Sequence, residues 1–195
     1  MKWQSTDERN TLKARQGRPS LGVDLRLVSD DGEPVSHNGE TPGYLRVKGW
    51  ATVARYYGDD DTSIDADGYF DTGDIATIDR EGFMTITDRA KDLVKSGGEW
   101  ISSQEIERHA MGHPAVAMAA VIGVPHHKWG ERPCLIVQRS AGKNVTADEI
   151  RAHLKLRIAA WWIPDEIMFR KEMPMNATGK IDKKGLRAEL SLKSR

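Results

Sequence analysis

Four short segments carry groups that could act on a phosphorylated ligand. Tyr69-Phe70-Asp71-Thr72-Gly73-Asp74 puts two carboxylates and a hydroxyl around a glycine, just ahead of an alternating apolar run. A carboxylate at a strand edge can accept both hydrogen bonds of a vicinal diol, which is a common way to hold a ribose. The same residues would also suit a β-turn in which Asp71 and Asp74 cap backbone amides. Fourteen residues beyond Asp74, Asp88-Arg89-Ala90-Lys91-Asp92 offers a guanidinium and an ammonium close to the same edge, or simply a solvated charge cluster. Ser96-Gly97-Gly98 exposes backbone donors with no side chains in the way, open to a phosphate or an extended thiol arm, or to no ligand if it is only a hairpin turn.

Thr178-Gly179-Lys180 presents one lysine on what the small, polar residues around it suggest is a flexible joint. An ammonium so placed could neutralise charge on a phosphoryl or carboxylate oxygen in a transition state. It is not a Walker loop, because Pro174 stands where the first glycine of GxxxxGK would be. His126-His127 is adjacent rather than i, i+4, so the rings are expected to diverge and a shared metal is disfavoured. Trp161-Trp162 is expected to pack a core rather than stack on a ligand.

Positioning these groups requires two kinds of architecture. From Gly22 to about Asp88 the runs are short and alternating: VDLRLV (23–28), YLRVKG (44–49), IATID (75–79) and FMTITD (83–88), separated by turn residues. This spacing predicts antiparallel β structure, part of a small barrel or a distorted sheet. After Asp88 the pattern changes. Glycines 97 and 98 predict a tight hairpin. Ser102 with Glu105 predicts a capping box and a helix from about Ser103 to Met111. AVAMAAVIGV (115–124) and PCLIVQR (133–139) read as central strands, because they are continuously apolar and of strand length. Thr146 with Glu149 opens a second helix whose stripe would be Ile150, Leu154, Ile158 and Trp161. EIMFRK (166–171) follows as a strand, and a last helix carries Leu186 and Leu190. The fold class expected is α+β, with residues 1–16 a poorly structured lead-in, 17–88 a β-rich unit and 89–195 an α+β unit.

Composition narrows the function classes. Twenty-nine Lys plus Arg balance twenty-nine Asp plus Glu, so no net field favours nucleic acid or an anionic membrane surface. Cys134 is the single cysteine, which excludes an intramolecular disulfide framework and multi-cysteine zinc sites and suits a reducing compartment. No apolar run reaches the length of a bilayer span and the start lacks a signal-peptide core, so a cytoplasmic location is expected.

Taken in order, DGYFDTGDIATIDREGFMTITDRAKDLVKSGGEWISSQEIE (67–107) and PMNATGKIDKKGLR (174–187) resemble the carboxyl-terminal portion of an acyl-CoA synthetase of the adenylate-forming, AMP-binding superfamily. The resemblance runs from about Gly17 to Leu190. With HHKWGERP (126–133) it is most similar to the medium- and long-chain fatty-acid and methylmercaptopropionate CoA ligases. It implies a β-barrel remnant of a large AMP-binding domain over 17–88 and a mobile C-terminal domain over 89–195.

The resemblance also implies ATP, AMP and coenzyme A as ligands and a carboxylate as substrate. By it, Asp74 holds the ribose hydroxyls of AMP, assisted by Arg89, and Lys91 is the hinge. Lys180 is the catalytic lysine of adenylate formation. Ser96, Gly97, Gly98 and Glu99 face the site in the thioester step, and Trp100 lies near the nucleotide and acyl pocket. The Ser/Thr/Gly-rich phosphate loop and the tyrosine-glycine-x-threonine-glutamate motif of that family do not occur here. The chain is therefore expected to be a fragment inactive alone, with Mg2+ bound only in the presence of the missing N-terminal domain and self-association through the exposed barrel surface. Two alternatives stay open: a stand-alone interaction or regulatory module, and a part of a carrier-protein adenylation or luciferase-like enzyme.

Overall fold

Alternating side chains and short turns build the first unit. The computed structural model describes residues 5–58 and 63–193, and the chain divides into two compact units, Met1–Lys91 and Asp92–Arg195. In the first, β1 (Val23–Val28), β2 (Gly43–Gly49), β3 (Phe70–Ile78) and β4 (Met84–Arg89) form an antiparallel sheet in the order β1-β2-β3-β4. The period of two sends Leu27, Leu45, Ala76 and Ile78 to one buried face, with Leu25, Val35, Met84 and Ile86 packed against them. No further ladder closes this sheet into a barrel among the described residues.

Two local expectations change in this unit. Strand β3 begins at Phe70, five residues ahead of the apolar run, because Phe70 and Asp71 already pair with Val47 and Arg46 of β2. A register shift between Tyr44 and Arg46 accommodates the polar residues. The lead-in also differs, since Thr6–Lys13 forms a helix, α1. Polar contacts tie the chain down just after it: Arg15 pairs with Asp79, and the Gln16 side chain accepts from the Ile86 amide at 2.7 Å. An apolar stripe could not have signalled these contacts. Residues 1–4 of that segment lie outside the described residues.

The second unit is a sheet covered on both faces. Its elements are β5 (Val94–Ser96), β6 (Glu99–Ile101), α2 (Ser103–Met111), β7 (Val116–His126), β8 (Gly130–Arg139), α3 (Ala147–Lys155), β9 (Glu166–Arg170) and α4 (Lys183–Lys193). The order is β6-β5-β8-β7, with β9 parallel to β8. Ala119, Val121, Leu135 and Val137 pack with Ile106, Ala110, Ile150 and Leu154 of α2 and α3. The intervening Ala120, Ile122, Cys134 and Ile136 pack with Met173 and with Leu186 of α4. Coverage on both sides is why these two strands read as continuous apolar runs.

The helices start where their caps dictate. Ser102 Oγ accepts from the Glu105 amide at 3.2 Å. Thr146 and Glu149 make a reciprocal capping box, at 3.3 and 2.8 Å. An ion pair fastens α4: Lys183 Nζ lies 2.7 Å from Glu107 Oε1 and donates to Ser103 Oγ at 2.9 Å, while Glu107 Oε1 accepts from the Val121 amide at 2.7 Å.

Two further readings are corrected. Helix α3 ends at Lys155, so the helical spacing no longer governs Trp161, which is 56% exposed on a 3-10 turn (Ala160–Trp162), while Trp162 packs on the core in its place. The rings of His126 and His127 do not diverge. They stack with centroids 4.6 Å apart, because β7 ends at His126 and the chain turns at His127.

Two predictions follow from this packing. Burial pushes His109 and His153 below the usual imidazole range, helped at His109 by neighbouring Arg108 and at His153 by Arg157 and His113, against an opposing bond from His153 to the His109 carbonyl. Glu105 and Glu149 also face this cluster, and each imidazole titrates at lower pH folded than unfolded. The unfolded chain then binds more protons, so stability falls as pH drops below about 6.5. Urea midpoints at pH 7.5 and 5.5 should differ in that direction, and His153→Gln should shrink the difference. Burial also pushes the Cys134 thiol up to about 12. A disulfide exchange reagent at pH 8 should leave it unmodified in the folded chain and react on denaturation.

Candidate functional site

In the first unit the strand pair β3 and β4 sets Asp74 directly opposite Arg89. Arg89 Nε donates to Asp74 Oδ1 at 2.8 Å, and the carboxylate side chain is only 15% exposed. Backbone contacts fix its approach. The Asp74 amide donates to Thr72 Oγ1 at 3.1 Å, and Thr72 Oγ1 donates onward to the Leu45 carbonyl at 2.9 Å. Asp71 takes the capping role that the turn reading allowed, accepting from the Gly73 amide at 2.9 Å, and it pairs with Arg46 at 2.9 Å. The neighbouring Asp88 is fully buried and accepts from the Arg89 amide at 2.7 Å. The result is a carboxylate held in place with one oxygen on a guanidinium. Lys91 is exposed and is the last residue of this unit.

In the second unit Ser96, Gly97, Gly98, Glu99 and Trp100 lie together on the β5–β6 hairpin, with Ser96 paired to Glu99 and Lys95 to Trp100. Gly97 and Gly98 both have positive φ, 61° and 87°, which is the backbone of a two-residue primed turn and strains any other residue. Ser96 is buried, and Glu99 is exposed with the two glycines. Trp100 is half-buried, with Lys95 Nζ 5.9 Å from its ring.

Lys180 is exposed on the segment between β9 and α4, and no ion-pair partner is found for it among the described residues. That segment is more closed than the flexible joint expected from its composition. Asn176 Oδ1 accepts from the Thr178 amide, the Thr178 hydroxyl and the Lys180 amide at 3.0, 2.7 and 3.0 Å. The Asn176 amide donates to the Lys180 carbonyl at 2.7 Å, and Met175 bridges Ile181. Asp182 then caps α4 by accepting from the Gly185 amide at 2.9 Å. An Asx turn could have been read from Asn176 and Thr178 two residues apart, but the sequence reading did not use it.

The sequence reading therefore places Asp74 with Arg89 and gathers Ser96 to Trp100. Missed was Arg132, whose five N–H groups are all engaged: two to Asp165 at 2.9 Å each, and one each to Ser96 Oγ, the Trp161 carbonyl and the Ile163 carbonyl at 3.2, 2.8 and 3.0 Å. Arg132 holds the Asp165 carboxyl below the usual carboxylate range, chiefly through that hydrogen bond. Its partners are 29 to 36 residues away along the chain, and no local pattern announces them. Among the described residues no group of three or more His, Cys, Asp or Glu side chains is placed to hold a metal ion, and no helix is long and apolar enough to cross a membrane.

Residues 105–180 match the family described as the AMP-binding enzyme C-terminal domain. Over 183 residues, 94% of this chain, the sequence is 47% identical to the 3-methylmercaptopropionyl-CoA ligase of Ruegeria pomeroyi and 46% identical to the medium-chain-fatty-acid–CoA ligase of Ectopseudomonas oleovorans. In each case the match covers 34% of the relative, so the chain spans about a third of the length of the curated relatives it matches. Among solved structures, ATP-bound MatB from Rhodopseudomonas palustris superposes with a TM-score of 0.82 at 30% identity, over 93% of this chain and 37% of that one. The Bacillus subtilis o-succinylbenzoate CoA synthetase in complex with its acyl-adenylate intermediate gives 0.81 at 30% identity, over 96% and 37%. Residues 105–180 are thus similar to the C-terminal domain of AMP-binding enzymes, and the chain over most of its length is similar to about a third of the length of acyl-CoA ligases.

Proposed function

We propose that the chain supplies the ribose-holding strands and the mobile lobe of an ATP-dependent acyl-CoA ligase. In the first half-reaction a carboxylate oxygen attacks the α-phosphorus of ATP, giving acyl-AMP and pyrophosphate. In the second the coenzyme A thiol displaces AMP. The observation that carries the reading is the Asp74–Arg89 pair: a recessed carboxylate, oriented through one oxygen at 2.8 Å, is what a vicinal diol needs as an acceptor. Lys180 supplies an ammonium for the charge that builds on the reacting phosphate and carboxylate oxygens, and such electrostatic help is worth about 10²- to 10³-fold in rate. Lys91, at the edge of the first unit, serves as the hinge. The hairpin from Ser96 to Trp100 serves the thioester step, where glycines admit a thin thiol arm.

Magnesium accompanying ATP would be held by residues that this chain does not supply. The 195 residues alone are therefore proposed to be inactive in the overall reaction. A cytoplasmic location suits the lone, buried Cys134. The exposed Leu21, Trp50 and Tyr57 side chains favour self-association of the isolated chain.

A hybrid enzyme tests the reading, with this chain replacing the matching third of the Ruegeria pomeroyi ligase. It should convert a short or medium-chain acid, ATP and coenzyme A into the CoA ester. Lys180→Ala should lower acyl-dependent pyrophosphate release by about 10²-fold or more, and Asp74→Ala should raise the KM for ATP. Pyrophosphate release at an undiminished rate after Lys180→Ala would sink the assignment. So would pyrophosphate release by the 195-residue chain alone.

A further inference from the structure

The WGERP segment, residues 129–133, enters the resemblance without a role, yet it wraps the hairpin. We infer that Trp129, Glu131 and Arg132 are positioning residues that hold the Ser96–Trp100 hairpin in place for the thioester step. The proposal rests on the ligase reading above, in which that hairpin meets the coenzyme A thiol.

Every contact lies within the second unit, at the point where β8 starts. Gly130 pairs with Ser96, the only register pair joining β5 to β8 among the described residues. The Gly97 amide donates to the Trp129 carbonyl at 2.8 Å, and the Trp129 ring lies so close over Gly97 that a Cβ there would stand 2.8 Å from Cε3. Glu131 Oε2 accepts from the Lys95 amide at 3.2 Å, on the strand that leads into the turn. Arg132 reaches Ser96 Oγ with one N–H while the other four are fixed elsewhere, so it acts as an anchored strut rather than a mobile surface charge. Gly123, opposite on β7, makes room for this: a Cβ at that position would stand 2.6 Å from Glu131 Oε2. Val94 and Ile101, fully buried in the core, seat the base of the hairpin, while its turn end meets the sheet at one register pair and depends on these side-chain contacts.

The chemistry explains why location matters. The thiol sulfur attacks the acyl carbonyl carbon of acyl-AMP, a C–S bond forms, the bond from that carbon to the phosphate oxygen breaks, AMP leaves with the electron pair, and the thiol proton passes to solvent. The sulfur must come within near-attack distance, and a displacement of about 1 Å in the groups lining its path can cost about 10²-fold. The adenylation step has no such arm to guide. Loss of the cradle should therefore divide the two half-reactions rather than weaken both.

The test has a structural arm and a kinetic arm. In the 195-residue chain, amide hydrogen exchange read by NMR should speed up at Lys95 and Gly97 in Glu131→Ala. Gly123→Ala should do the same by pushing the carboxylate aside, leaving the Glu131 side chain itself intact. Glu131→Gln, whose amide carbonyl can still accept from Lys95, should stay close to the parent. In the hybrid ligase, Glu131→Ala and Gly123→Ala should lower CoA-ester formation at least about tenfold relative to acyl-dependent ATP–pyrophosphate exchange, with a raised KM for coenzyme A and with Glu131→Gln restoring most of the rate. Equal slowing of both half-reactions, or no slowing of either, would overturn the positioning role. An unsubstituted hybrid that forms no acyl-adenylate would instead refute the ligase reading, and the exchange rates would then decide whether the cradle itself exists.

Discussion

Strands β7 and β8 are buried on both faces, and the rest of the second unit follows from that constraint. Side chains at 119, 121, 135 and 137 belong to one apolar layer, and those at 120, 122, 134 and 136 to the other. Neither layer leaves room for an uncompensated polar group, which would cost about 1–3 kcal/mol in such surroundings. The candidate site residues of this unit accordingly lie at the ends and edges: on the hairpin beside the start of β8, and on the segment between β9 and α4. Where a charge does enter the interior, it is paired and hydrogen-bonded. Lys183 and Glu107, 14% and 13% exposed, share contacts with Ser103 and the Val121 amide. Removing either partner of such a pair leaves the other charge uncompensated, which is the costly way to break one.

The first unit solves the opposite problem, with a polar sequence forced into a strand. Phe70 to Asp74 holds little apolar character beyond Phe70, yet it is extended because β2 offers partners for it. Thr72 and Asp71 absorb the amide donors that the irregular register leaves over, through bonds to the Asp74 and Gly73 amides. Asp74 is thus built into the sheet rather than hung from a loop. Its guanidinium partner comes from the next strand, so the geometry of the pair is that of the ladder itself.

Legibility in the sequence tracked how local the cause was. Caps at Ser102 and Thr146, the glycine pair at 97 and 98, and the apolar runs of β7 and β8 rest on spacing within a few residues, and each of those elements forms where its pattern lies. The start of β3 was hidden because it is decided by β2, more than twenty residues earlier. Helix α1 was hidden because polar contacts rather than an apolar stripe tie down the chain beside it. Trp161 was misjudged because the helical period was extended past Lys155, where the helix had already stopped. Of the site, the residue types at Asp74, Arg89 and Lys180 were legible from their chemistry and from the family resemblance. Arg132 and Glu131 were not, because a donor acquires its meaning only when the fold brings its acceptor close.

The ring of bonds on Asn176 determines where the freedom of Lys180 resides. With the Thr178 and Lys180 amides, the Thr178 hydroxyl and the Lys180 carbonyl all engaged, the Cα of Lys180 is a fixed root. Bringing the ammonium to any target then restricts four side-chain torsions, an entropy loss of about 2 kcal/mol, while the backbone dihedrals of the segment are already settled. The tether is short and its search is small, so reach is limited by the length of one aliphatic stem.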